Sequence, residues 1–139
     1  AMDMSKFSIH VCRKRLLQSS EAKFFCFSDP KLKAQKYEDN NDVEIKITKS
    51  NEKTMEVQLL SYQCEPLSEF DYKFFDYIDY WSIGYIRDNE FFSYQETYRS
   101  AENPYLKNVL VVGVDKADAE KELACHIIDI YGKQFLLIL

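Results

Sequence analysis

The stretch "EFDYKFFDYIDYW", Glu69 to Trp81, decides how the chain is read. Seven of its thirteen residues are aromatic, four are acidic, and Lys73 is the single base. Phe70, Phe74, Tyr77, Ile78 and Trp81 recur at i, i+4, i+7, i+8 and i+11, the spacing of one helical stripe. Strict alternation fails over these residues, so the periodicity outweighs the strand preference of aromatic side chains. Ser68, with Asp71 three residues later, resembles a capping box and marks the helix start. The spacing therefore predicts a central aromatic–acidic helix. Its buried side carries Phe70, Phe74, Tyr77 and Trp81, and Glu69, Tyr72, Asp76, Asp79 and Tyr80 gather on the other.

Upstream, alternation dominates. "KFSIHV" (6–11) places Phe7, Ile9 and Val11 on one face, the pattern of a half-buried strand. "AKFFCFS" (22–28) reads as a second strand ended by the Asp29-Pro30 turn, and "KLKAQKYEDNND" (31–42) reads as a polar loop or short exposed helix. Val43, Ile45 and Ile47 alternate, as do Met55, Val57 and Leu59, and the polar "KSNEK" between them predicts a hairpin.

Downstream, "WSIGYIRDNEFFSYQETYR" (81–99) fits either a hairpin around Asp88-Asn89 or a pair of short helices. "NVLVVGVD" (108–115) is a continuous apolar run, as in a strand covered on both faces. Asp115 and Asp118 cap a predicted helix "KADAEKELACHIIDIY" (116–131), with Ala117, Ala124, Ile127, Ile128 and Tyr131 on its apolar face and Gly132 as its stop. "KQFLLIL" (133–139) closes as a strand parallel to 108–115. The expected fold class is a single α+β domain with N-terminal antiparallel strands, a central aromatic–acidic helix and a C-terminal strand–helix–strand unit.

A chain of 139 residues fits one domain with a core of its own. "AMD" before "MSKFS" reads as a cloning scar over residues 1–3, which leaves 4–139 as the globular domain. The longest apolar runs, "VLVVGV" and "FLLIL", are far shorter than a bilayer span, and no signal-peptide pattern follows the start, so a cytoplasmic protein without membrane contact is expected. Cys12, Cys26, Cys64 and Cys125 have no paired spacing, as expected for free thiols in a reducing compartment. Abundant Lys, Asn, Ile, Tyr and Phe with scarce Gly and Pro suit an AT-rich genome such as that of many phages and low-GC bacteria.

Chemistry-bearing motifs are sparse. A phosphate loop needs several glycines, and the chain has only Gly84, Gly113 and Gly132. His10 and Cys12 share a strand face in this reading, but Cys125 and His126 point about 100° apart on the predicted helix, so no metal site, cofactor or catalytic group is assigned. The enzymatic alternative is a small metal-dependent nuclease, with Asp29 and Glu44 holding the ion and Lys46 orienting water. A structural or adaptor subunit using an edge strand is a further alternative.

Charge placement carries the functional expectation. Residues 65–102 hold nine acids and three bases; the rest of the chain holds fourteen acids and fifteen bases. The same segment holds twelve of the 21 aromatic residues. Carboxylates steer a basic partner inward, and tyrosines give contact area at small entropic cost. The basic "RKR" at 13–15 is set against an overall charge of −5, which argues against direct nucleic-acid binding. The expectation is a non-enzymatic inhibitor or immunity-type protein that neutralises a basic protein partner, such as a nuclease toxin or other nucleic-acid enzyme. Glu69, Asp76 and Asp79 would pair with its cations, and Tyr72 and Tyr80 would act as anchors.

Overall fold

A computed structural model describes residues 6–19, 43–51, 54–63, 73–88, 90–113 and 122–139. They form an α-helix α1 (Lys6–Ser19), strands β1 (Val43–Asn51) and β2 (Thr54–Tyr62), a 3-10 turn (Phe74–Tyr77), and strands β3 (Ile78–Arg87), β4 (Glu90–Tyr98), β5 (Val109–Gly113), β6 (Glu122–Asp129) and β7 (Gln134–Ile138). One sheet has the order β1-β2-β5 and the other β4-β3-β6-β7, and every pairing is antiparallel. The described fold is mostly β, which corrects the α+β expectation.

The two sheets share one apolar core. Val57, Leu59, Tyr62, Leu110 and Val112 come from the three-stranded sheet, and Ile78, Trp81, Ile83, Cys125, Ile127, Phe135 and Leu137 from the four-stranded sheet. The Tyr62 and Phe135 rings meet edge-on at 5.4 Å, and the Trp81 indole donates to the Lys107 carbonyl at 2.8 Å. Asp129, fully buried, joins the sheets: it accepts from the Tyr62 hydroxyl at 2.8 Å and from the backbone N–H groups of Tyr131 and Lys133. Gly132, at φ 81°, supplies the left-handed residue that this β6–β7 turn needs. No described helix is long and apolar enough to cross a membrane.

The β1–β2 hairpin forms as its alternation predicts. A register shift between Glu44 and Ile45 leaves Leu60 as an extra residue, so Tyr62 re-enters the core while Leu60 faces out. Residues 81–87 and 90–98 lie in the paired strands β3 and β4, and the turn between them holds Asp88 at φ 53°, a conformation that Asp tolerates better than most side chains. Gly84 sits at the bulge in that hairpin. A Cβ there would lie 1.9 Å from the Phe92 carbonyl oxygen, so the close strand approach requires glycine.

Three predicted elements are corrected. The helix over 69–81 is not formed in its described part: residues 74–77 make a single 3-10 turn and β3 begins at Ile78. A register irregularity between Ile78 and Tyr80 shifts the phase of the alternation, so Ile78 and Trp81 both reach the core three residues apart. That spacing imitates a helix. The helix over 116–131 is also not formed where described, because Glu122–Asp129 is strand β6. Ala124 through Asp129 are all buried; with both faces covered, a strand loses its polar alternation and reads like a buried helix. The closing strand β7 therefore pairs antiparallel with β6 instead of parallel with β5.

The third correction is at the N-terminus, where Lys6–Ser19 is helical and "KFSIHV" is no strand. Leu16, Leu17, Lys14, Arg13, Arg15 and Gln18 are good helix formers and outweigh the two β-branched residues, Ile9 and Val11. The predicted strand over 22–28, the Asp29-Pro30 turn, the loop over 31–42 and the Ser68 and Asp115 caps lie outside the described residues.

Candidate functional site

Of the five residues assigned to a partner surface, Asp76, Asp79 and Tyr80 are described, and these three do not form one exposed face. Glu69 and Tyr72 lie outside the described residues. Asp76 sits exposed in the 3-10 turn, accepts from the Lys73 backbone N–H at 3.0 Å, and lies 3.9 Å from the Arg99 guanidinium. Asp79 and Tyr80 are brought together elsewhere, against α1. Asp79 Oδ2 meets His10 Nε2 at 2.8 Å, and Lys14 Nζ reaches both carboxylate oxygens at 3.0 and 2.9 Å. Burial alone would raise the Asp79 pKa, but the hydrogen bonds and charges of His10 and Lys14 outweigh it and hold the carboxyl below its ordinary value. Tyr80 is only 4% exposed; its hydroxyl donates to Glu96 at 3.3 Å, and burial raises its pKa.

The contacts with Tyr80 and Asp79 place α1 on the outer face of the four-stranded sheet through polar side chains. His10 and Arg13 are both at least nine-tenths buried. The His10 ring lies edge-on to Tyr80 at 6.3 Å, and the Arg13 guanidinium lies 5.8 Å from the same ring centre. The rings of Tyr80 and Phe91 pack edge-on to His126 at 5.8 and 5.4 Å, and His126 Nε2 lies 3.2 Å from Gln134 Oε1. Burial, then the Arg13 charge, pulls the His126 pKa down to about 3, so this imidazole is neutral at physiological pH.

Among the described residues Arg13 makes no ion pair, and Arg13 Nη1 and His10 Nδ1 have no hydrogen-bond partner. A cation over a tyrosine ring gains about 0.5–2 kcal/mol, whereas desolvating an ion costs several kcal/mol. The positive charge is therefore only partly compensated. The signal for this layer was present in the sequence: His10, Arg13 and Lys14 stand at i, i+3 and i+4 and share a face once the segment is helical. The strand reading of residues 6–11 hid it, and the "RKR" triplet divides into a buried Arg13, a paired Lys14 and an exposed Arg15.

Acidic and aromatic residues gather again at the far end of β3. Tyr85 stacks on Phe92 at 5.2 Å with 12° between the planes, and Tyr94 packs on Tyr85 at 5.0 Å. Tyr94 is 38% exposed, and the exposed Asp88 and Glu90 flank the group. Arg87 pairs with Asp88 at 3.4 Å in solvent, so the tip remains acidic.

The nuclease residues take an ordinary surface arrangement. Glu44 and Lys46 are exposed on β1, a strand at the edge of its sheet, and Glu44 accepts from Ser61 at 3.5 Å. Asp29 lies outside the described residues. Among those described, no three His, Cys, Asp or Glu side chains gather as metal ligands. Cys125 faces the core, where burial raises its thiol pKa, while its neighbour His126 points to the opposite face. Comparison with family models, curated proteins and solved structures gives no match.

Proposed function

We propose that this chain is a non-enzymatic binding protein that neutralises a basic protein partner by occluding it, through the tip of the β3–β4 hairpin. The observation that carries this reading is the half-exposed ring group of Tyr85, Phe92 and Tyr94 beside Asp88 and Glu90. Stacked rings are already ordered, so binding costs little side-chain entropy. Carboxylates at the rim attract a cationic cleft and raise the association rate. A nuclease toxin or another nucleic-acid enzyme has the cationic cleft that this surface complements. The neutralising contact is steric and electrostatic and needs no cofactor.

The test is capture of basic proteins from lysate of the source cells by the full chain and by two variants whose folding is checked by circular dichroism. A captured basic partner should be released by salt. Its affinity should fall about thirtyfold or more in Tyr94→Ala, the scale of an interface anchor. Asp88→Lys with Glu90→Lys should slow association about tenfold. Equal capture by the native chain and both variants would remove the hairpin from the interface.

A further inference from the structure

A second surface, distant from the hairpin tip, has the opposite sign. A groove of about 470 Å³ runs between α1 and residues 99–104, walled by Val11 and Pro104 and lined by Lys14, Arg15, Arg99 and Glu102. Among the described lining residues three cations stand against one acid in a chain of charge −5, with Asp79 bonded to Lys14 and Asp76 3.9 Å from Arg99, and the volume falls in the range of small-ligand sites.

We propose that this groove binds a phosphate-bearing small molecule. The argument is an inventory of donors. An ammonium has three N–H groups and a guanidinium five. Arg99 is fixed by the carbonyls of Ile78, Pro104 and Phe75 and its Nη2 lies 3.9 Å from Asp76, which leaves the second Nη1 N–H on a guanidinium that no longer needs ordering. Lys14 bonds both oxygens of Asp79 and keeps its third N–H. Arg15 is exposed and has no ion pair among the described residues. Donors thus approach from α1 on one side and from Arg99 on the other, which suits the several acceptor oxygens of a tetrahedral anion better than a flat carboxylate.

The remaining charges favour the same occupant. Glu102, the acid among the described lining residues, has its pKa lowered by hydrogen bonds from its own backbone N–H and from Ser100, so its carboxylate is engaged with its own loop. Arg13, buried and without an ion pair among the described residues, adds a positive charge one residue before Lys14. Carbonyls of the last helical turn repel anions, so the phosphate sits toward Lys14 and Arg99 rather than Gln18. Val11 and Pro104 take the organic part.

Isothermal titration of the full chain with inorganic pyrophosphate, at ionic strength held constant with potassium chloride, tests the site. Saturable one-to-one binding with a dissociation constant below about 10 mM is expected. Arg15→Ala removes no ion pair among the described residues and should weaken it at least tenfold. Glu102→Gln should tighten it about threefold, an effect that nonspecific loss of structure cannot produce. Absence of saturable heat up to that concentration overturns the proposal. So does binding that both variants leave at the native value.

Discussion

The two faces of the four-stranded sheet solve burial in opposite ways. Its inner face presents Trp81, Ile83, Cys125, Ile127, Phe135 and Leu137 to the other sheet. Its outer face presents Tyr80, Ser82, His126 and Gln134, all at most 7% exposed, with α1 attached through His10 and Lys14 on a single carboxylate, Asp79. The inner face gains stability from removing apolar area from water, which is non-directional and tolerant of small shifts. The outer face depends on a few directional bonds around desolvated groups, so each partner matters more than its contact area implies. One face holds the fold together; the other sets the position of α1 and therefore the shape of the groove beside it.

That contrast can be broken first on the apolar side. Trp81→Ala should cost about 3–5 kcal/mol, because a fully buried indole and its bond to the Lys107 carbonyl are both lost. Urea unfolding measures it, and a loss below about 1 kcal/mol would mean that the sheets do not meet through this residue. Asp79→Ala should cost less, about 2 kcal/mol, from leaving the buried His10 ring and the Lys14 ammonium unpaired. It should also expose α1 to proteolysis while the sheets keep their hydrogen-exchange protection. Uniform loss of protection would mean that α1 and the sandwich are one cooperative unit.

Acid should act on the outer face before the inner one. His126 has a folded pKa of about 3, below its unfolded value near 6.5. Between those values the unfolded chain binds more protons, so stability falls as pH drops from about 6.5, by up to about 1.4 kcal/mol per unit. Asp79 has a depressed folded pKa, so its contribution is intact above about 3.9 and is lost only as pH falls from there through the folded value. Urea midpoints at pH 7.5, 6 and 5 in the native chain and His126→Gln should show a slope that the variant flattens. Equal slopes would assign the acid sensitivity to another group. The smallest effect belongs to the exposed β1 face, where Glu44→Ala should change stability by less than about 0.5 kcal/mol.

Hydrophobic pattern alone determined the elements with one wet face. The β1–β2 hairpin is visible because the exposed Glu44 and Lys46 alternate with the partly buried Val43 and Ile45, whereas the Asp88-Asn89 turn left a hairpin and a pair of short helices both open. The concentration of acids and aromatics in residues 65–102 is likewise a property of sequence. Tertiary structure decided the rest. β6 has no wet face, because the other sheet covers one side and Tyr80, Phe91 and their neighbours cover the other, so its alternation is erased. β3 carries an irregularity next to Asp79 that replaces period two with an apparent helical step. α1 binds by polar groups and shows no apolar stripe to announce its face. Which acids are exposed and which are paired was therefore settled only when the helix met the sheet: the bonds of Asp79 to Lys14 and His10 span 65 and 69 residues, and no local pattern encodes a partner at that separation.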